Sequence, residues 1–380
     1  MNRVETNILI IGASISGLAL AASLKKLGKE YLIIEKQPTI AFPWQHHYER
    51  LHLHTNKRVS SLPYKRFPHN IPRYPSRKQV LDYLDAYRRE FQIDPIFNEE
   101  AIQVQKEGDY WLTEAKNNLY QSAFLLVATG AYSRPKAIEF KGMNSFPGKI
   151  LHSYEYFSGK DFKNKKVLVV GFGNSACEIA IDLFEQGAYP SMAVRSPVNV
   201  VPRDIFGIPV LEISLLLNGL PPHLADLISA PVIRLLLGDI TKLGLKKKPY
   251  GVLEEIRRDG HAPVLDIGTI KHIRQGHINI LDEIDHIEGN EIHFKAGKVE
   301  KFDAIIAGIG YYRDYAKFLQ VDQSRFDDLR LPTSKQKFFG KDGLYFCGYW
   351  VSPTGQLREI GIDAQRIAKD IEMKGPGGRS

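Results

Sequence analysis

Cysteine is nearly absent. The 380 residues hold two, Cys177 and Cys347, far apart and each among apolar neighbours. That excludes a disulfide framework, a Cys-x-x-Cys redox pair and a cysteine metal cluster, and it predicts a reducing, cytoplasmic setting. Long apolar runs are missing as well. The most apolar stretch, Ile208 to Leu237, is broken by Pro209, Pro221, Pro222 and Pro231 and carries Glu212, Asp226 and Arg234. It falls short of the roughly 18 uninterrupted apolar residues of a spanning helix. Buried helices or an apolar surface flap are expected there, without stable membrane insertion. The first residues, Met1 to Thr6, lead straight into an apolar run, which predicts no leader segment. Charge is not concentrated either: the net +8 is dispersed apart from Lys246-Lys247-Lys248, and no nucleic-acid recognition motif accompanies it. Anionic cofactors and an acidic substrate account for a mild basic excess. Oligomeric state has no signal in the residues.

What remains is an ordinary globular composition, 43% hydrophobic and 25% charged, in a chain long enough for two or three domains. Its organising stretch is Ile8-Leu9-Ile10-Ile11-Gly12-Ala13-Ser14-Ile15-Ser16-Gly17. The apolar run predicts a strand buried on both faces. It turns through small residues into a helix whose first N–H groups and dipole can hold a phosphate. Ser14 stands where the dinucleotide fingerprint usually has its second glycine. A second strand, Tyr31 to Ile34, ends in Glu35-Lys36. An acid about 20 residues past the glycine turn can accept two hydrogen bonds from a ribose diol.

From Phe42 to Pro75 periodicity gives way to aromatics, His and Pro. A loop of this length inside a domain is usually functional. His46, His47, His52 and His54 invite a metal, but no cysteine ligand accompanies them, and no metal is expected. Trp44, Gln45 and Asn56 suit stacking and hydrogen bonding around a flat ring better. Ser76 reads as the N-cap of an amphipathic helix, Arg77 to Phe91. Short β segments follow near Ala101 to Gln105 and Tyr110 to Glu114, then a buried strand closes on Ala128-Thr129-Gly130.

A second strand–turn–helix unit begins at Lys166 and runs through Gly171-Phe172-Gly173-Asn174-Ser175-Ala176, with both turn glycines present. Its next strand carries Arg195-Ser196 nearly where the first unit has Glu35. A carboxylate repels a 2′-phosphate and an arginine pairs with it, so the first turn should hold a dinucleotide with a free ribose and the second NADPH. Phe302 to Tyr311 repeats the buried strand-to-glycine pattern, Gly343 to Gly348 reads as a further strand, and Glu359 to Met373 as a helix.

Between the two turns lies Phe146-x-Gly148-x-x-x-His152-x-x-x-Tyr156, which resembles the identifying sequence of flavin-containing monooxygenases. Trp44-Gln45 with Tyr48 to His54, Leu236 to Leu245, Pro263 to Thr269 and Asp363 to Ile371 resemble the YUCCA-type subgroup most. The family's Ala-Thr-Gly-Tyr motif is Gly308-Ile309-Gly310-Tyr311 in this chain, and Thr55-Asn56 departs from the YUCCA-type loop.

The resemblance implies an α/β fold of two Rossmann-like dinucleotide-binding domains. The FAD domain would comprise 1–155 and 301–373, and the inserted NADPH domain 156–300 with an apolar helical insertion around 205–245; a disordered tail would follow from 374. It implies FAD and NADPH as cofactors, with O2 and a small molecule as co-substrates. The activity implied is a monooxygenase acting through a C4a-(hydro)peroxyflavin. Its favoured reaction is oxidative decarboxylation of an aromatic 2-oxo acid such as indole-3-pyruvate to indole-3-acetate; the alternative is N- or S-oxygenation, or Baeyer–Villiger chemistry. A flavin disulfide reductase lacks its cysteine pair here, and a non-catalytic NADP sensor is the remaining contrast. FAD contacts are implied for Gly12, Ala13, Ser14, Ser16, Gly17, Glu35, Lys36, Trp44, Gln45, Thr55, Ala101, Ala128, Thr129, Gly130 and Gly348. NADPH contacts are implied for Gly171, Gly173, Asn174, Ser175, Ala176, Arg195 and Ser196. The catalytic loop assignment lies between His54 and Asn56. His152 is expected to be a hydrogen-bonded linker residue rather than a proton carrier.

Overall fold

The computed structural model describes residues 2–130, 134–217, 219–312, 318–321 and 339–375. They form two compact units. The first is built from 1–45, 55–134 and 312–380, and the second from 46–54 and 135–311.

The first unit starts with β1 (Asn2–Ile11), α1 (Ile15–Lys26) and β2 (Leu32–Glu35). Ile8, Leu9 and Ile10 are fully buried, as a strand covered on both faces requires. Ile15 to Leu24 of α1 are all buried, so this helix is apolar all round rather than amphipathic. After a single helical turn at Phe42–Gln45 comes α2 (Arg77–Glu90). It is closed by a capping box in which Ser76 Oγ accepts from Gln79 N–H and the Gln79 side chain accepts from Ser76 N–H. The unit continues through β3 (Ile96–Phe97), β4 (Ala101–Glu107), β5 (Tyr110–Ala115) and β6 (Asn118–Val127). The sheet order is β3-β2-β1-β6-β5-β4. Pairing is parallel from β3 to β6 and antiparallel through β5 and β4.

The second unit contains β7 (Lys149–His152), β8 (Lys166–Val170), α3 (Asn174–Glu185) and β9 (Tyr189–Ala193). The apolar stretch folds as two helices, α4 (Val210–Leu217) and α5 (Pro222–Leu237), on which Leu216, Leu227 and Leu235 are exposed. Then come β10 (Asn279–Leu281), the meander β11 (Ile284–Glu288), β12 (Glu291–Phe294) and β13 (Val299–Lys301), and finally β14 (Ala304–Ala307). The main sheet is parallel throughout, in the order β10-β9-β8-β14-β7. The chain returns to the first unit with β15 (Leu344–Phe346), which pairs parallel with the end of β6, and α6 (Gln356–Lys374), which packs on α1.

Three sequence boundaries move. Residues 135–155 belong to the second unit because β7 pairs with β14 there. Residues 301–311 belong to it too, since β14 lies between β8 and β7. Residues 46–54 cross into it because Tyr48, Arg50 and His54 bond to α3. A strand-to-glycine pattern shows that a strand is buried in a parallel sheet but not in which one. Lys374 still lies in α6 and Gly375 caps it, while the rest of the expected tail lies outside the described residues.

Candidate functional site: two glycine turns with opposite charges

In the first unit Gly12 has φ +105°, where an L side chain is strained, and a Cβ there would sit 2.8 Å from the Ala128 carbonyl oxygen. At Gly17 a Cβ would come within 1.9 Å of the Gly12 carbonyl oxygen, so α1 leaves the turn with its backbone pressed on it. Ser14, between them, is the N-cap of α1 with φ −97° and ψ −159°. That is extended backbone open to any residue, so the protein itself does not require a glycine at Ser14. Its side chain makes no capping bond, so the first N–H groups of α1 have no side-chain cap from Ser14.

Glu35 fixes the same turn from β2. Its Oε2 accepts Ala13 N–H at 2.7 Å, and Oε1 accepts Gln37 N–H at 3.0 Å. Two further strand ends arrive alongside. Gly348 (φ +85°) would put a Cβ 2.2 Å from Ser16 Oγ. Thr129 meets buried Tyr349, whose hydroxyl lies 2.7 Å from Thr129 Oγ1 and accepts its N–H at 3.2 Å. Burial holds the Tyr349 phenol far above its ordinary pKa, so it stays a neutral partner. Tyr349 carries no motif, and sequence reasoning missed it. Gly130 has φ +77°, with no described atom within 4 Å of where a Cβ would lie.

The remaining first-unit candidates are less tightly drawn in. Gln45 donates to Thr39 Oγ1 and the Ile40 carbonyl at 3.1 and 3.2 Å, and its own carbonyl accepts from Arg77 at 2.6 Å. Thr55 Oγ1 is 2.6 Å from Ser60 Oγ. Trp44 is half-buried, Lys36 is exposed past β2, and Ala101 opens β4 against the sheet's core.

The second unit repeats the turn with one change. Gly171 has φ +109°, and a Cβ would lie 2.6 Å from the Gly308 carbonyl oxygen. Gly173 is the N-cap of α3 in extended backbone with no described atom within 4 Å of its missing Cβ. Ala176 takes the place of Gly17. Its Cβ fits because residue 308 is a glycine, whose own Cβ would lie only 2.8 Å away. Asn174 is engaged structurally: it donates to the Pro263 carbonyl and accepts from Leu265 N–H at 3.1 and 2.8 Å.

Arg195 lies beyond β9 rather than within it, 74% exposed, with a loose 3.9 Å contact to Glu283. Together with Ser196, Gly171, Gly173, Lys141 and His261 it lines a cavity of about 560 Å³. Lys141 and Glu283 come from distant parts of the chain and no local pattern marks them.

The two catalytic candidates fall in different units. His54 Nε2 lies 3.1 Å from Oε2 of Glu178, a fully buried α3 carboxylate that also accepts the Tyr48 hydroxyl at 2.9 Å and faces Arg50 at 3.5 Å. Arg50 is shared with Glu185 at 2.7 and 3.0 Å. Burial pulls the Arg50 pKa down, but Glu185 and Glu178 outweigh it and the net shift is upward. Asn56 belongs to the first unit and is buried, its Oδ1 accepting from Arg58 and Val59 N–H at 3.1 and 3.2 Å.

The stretch from Phe146 to Tyr156 is tied into the fold by close packing and hydrogen bonds. A Cβ on Gly148 would meet the Asp303 carbonyl oxygen at 2.2 Å. Tyr156 donates to Asp182 on α3 at 2.5 Å. His152 Nε2–H donates to the Gly310 carbonyl at 3.1 Å while Nδ1 accepts Tyr154 N–H at 3.0 Å, so both ring nitrogens are used by the neutral ring.

Two strand–turn–helix units, one clamped by a carboxylate and one flanked by an arginine, define a two-dinucleotide oxidoreductase. The sequence profile of the pyridine nucleotide-disulphide oxidoreductase family matches residues 9–203. Indole-3-pyruvate monooxygenase YUCCA6 of Arabidopsis thaliana is 38% identical over 97% of this chain and 90% of its own length. Among solved structures, a flavin-containing monooxygenase from Stenotrophomonas maltophilia aligns over 97% of this chain and 98% of its own, with a TM-score of 0.67 at 19% identity. An oxidised steroid monooxygenase bound to NADP aligns over 98% and 86%, with a TM-score of 0.76 at 16% identity. The chain belongs to the YUCCA family of flavin-dependent monooxygenases, within the pyridine nucleotide-disulphide oxidoreductases, and its cofactors are FAD and NADPH. No disulphide chemistry comes with that wider name: Cys177 and Cys347 are both buried and neither is in a disulphide.

Proposed function

We propose that this chain oxidatively decarboxylates an aromatic 2-oxo acid, with indole-3-pyruvate giving indole-3-acetate. O2 and NADPH are consumed, and carbon dioxide, water and NADP+ are released. The observation that carries the reading is a likeness of more than a third of all positions to an indole-3-pyruvate monooxygenase, spread over nearly the whole of both chains. Bound FAD, reduced by NADPH, supplies the oxygen-transfer chemistry.

The protein's own residues bind and orient. Gly12 to Gly17 and the open N-terminus of α1 hold the FAD pyrophosphate, and Glu35 holds the ribose of its adenosine. Gly171 to Ala176 hold the NADPH pyrophosphate, and Arg195 with Lys141 receives the 2′-phosphate. Asn56, buried in the same unit as the FAD turn, is the side chain assigned to the flavin side. His54, tied to Glu178 on α3, belongs to the nucleotide unit. Two buried cysteines, both outside any disulphide, accord with a reducing cytoplasm.

The test is NADPH and O2 consumption by the FAD-loaded protein over 2-oxo acids, amines, sulfides and ketones, with products identified by mass spectrometry. Indole-3-acetate and carbon dioxide in equal amounts are expected from indole-3-pyruvate. A sulfoxide, N-oxide or ester without decarboxylation would overturn the substrate assignment, and nucleotide binding without O2 consumption would overturn the enzyme.

A further inference from the structure

In the aromatic loop His52 Nδ1 lies 2.6 Å from the Arg50 carbonyl and His54 Nε2 3.1 Å from Glu178. A different histidine pair lies on the β11–β12 hairpin of the second unit. His286 and His293 are directly opposed across the ladder, and Glu288 follows His286 by two residues. Strand alternation therefore puts all three on one face, while Ile287 and Ile292 fill the core on the other. The imidazole rings stack with centroids 4.2 Å apart and planes 11° from parallel. One ring nitrogen of each histidine and one carboxylate oxygen of Glu288 lie within 4.8 Å of one another.

Two details distinguish this cluster from a chance surface group. His293 Nε2 is buried and has no hydrogen-bond partner among the described residues, and the polar atom it faces, Glu288 Oε2, is 3.9 Å away. That is too long for a hydrogen bond and close to the separation across a bound ion. Ligand atoms of a tetrahedral zinc site stand about 3.3–3.6 Å apart, from metal–ligand bonds of about 2.0–2.2 Å. The second detail is a β-bulge between Ile284 and His286 that makes Asp285 the extra residue of the ladder. Asp285 Oδ2 accepts His286 Nδ1–H at 2.8 Å. With that proton fixed, Nε2 keeps its lone pair, the carboxylate–histidine arrangement that orients metal ligands.

We propose that His286, Glu288 and His293 form a three-ligand site for a divalent transition metal of the zinc class, with Asp285 as the positioning residue for His286. Two imidazoles and one carboxylate are the donor set for zinc, cobalt or nickel rather than for magnesium or calcium. A bound ion would cross-link β11 to β12.

The experiment uses untagged, FAD-loaded, chelator-washed protein titrated with Zn2+ by calorimetry, with Co2+ absorption as a check on ligand geometry. One equivalent should bind with a Kd on the order of micromolar or tighter. Glu288→Gln and His293→Gln should each weaken it at least 10-fold, and Asp285→Asn about 10-fold. Zn2+ should raise the melting temperature of the parent protein and not that of His293→Gln. Glu288 is 79% exposed, so its variant keeps the fold and decides the matter if His293→Gln does not. Binding only in the millimolar range, or an affinity unchanged in Glu288→Gln, would overturn the site.

Discussion

Glu35 accepts the backbone N–H of Ala13 at 2.7 Å, so the acid that ends β2 also clamps the turn that ends β1. Its second oxygen takes Gln37 N–H, so both oxygens hold the backbone in place before any ribose arrives. Glutamine has one acceptor where glutamate has two, and its amide group would face an N–H. Glu35→Gln should weaken FAD binding by about 1.5–3 kcal/mol, roughly 10- to 150-fold. Flavin release followed by fluorescence during dialysis measures it, and full retention of colour would refute the ribose assignment.

The two glycine turns separate folding from binding. Gly17→Ala puts a methyl 1.9 Å from the Gly12 carbonyl oxygen, so the turn must open. A loss of several kcal/mol of stability is expected, in the range of severe overpacking. Gly173→Ala meets no atom of the described residues, so its melting temperature should stay within about a degree or two of the parent while the KM for NADPH rises at least about 10-fold. Equal effects of the two substitutions on melting would show that Gly173 is kept for the fold and not for a ligand.

Among the described residues the ion-pair contact of Arg195 is a loose 3.9 Å one with Glu283, which leaves its guanidinium available to a phosphate. Arg195→Ala should raise the KM for NADPH on the order of 10- to 100-fold, the worth of a charge-assisted pair, and leave that for NADH nearly unchanged. Glu283→Gln removes the competing carboxylate and should lower the KM for NADPH. Steady-state kinetics with both nucleotides at low ionic strength decides it, and equal losses for NADPH and NADH would refute the 2′-phosphate role.

Both turns were legible in the sequence because each is local: strand, small residues, helix, and a charged residue at the next strand end. The Ser76 cap was legible for the same reason. The assignment of β14 was not, since Phe302 to Gly310 and Phe124 to Gly130 read alike and only the pairing with β7 and β8 separates them. Glu178 was equally hidden. It sits in a helical run as one polar residue, and its partners Tyr48, Arg50 and His54 come from a loop far upstream. At Ser14 the departure from the fingerprint causes no backbone strain because the residue is extended, a torsion angle that sequence does not print.

His152 gives the fold an acid-sensitive point. Burial, the largest influence, pulls its pKa below the ordinary value, and the Gly310 carbonyl and Glu155 only partly oppose that. Protonating Nδ1 would also break the bond from Tyr154 N–H. The unfolded chain, with a histidine pKa of about 6.5, therefore binds a proton before the folded one does. Stability from this residue is complete above about pH 6.5 and is lost as pH falls through the lower folded value, because the unfolded state carries the extra proton there. His152→Gln keeps one donor and one acceptor and removes the titration. Melting curves from about pH 7.5 down to about pH 5 should show a shallower acid loss in the variant than in the parent. Parallel curves would mean that the acid limb belongs to other groups, His272 first among them, since burial lowers its pKa too.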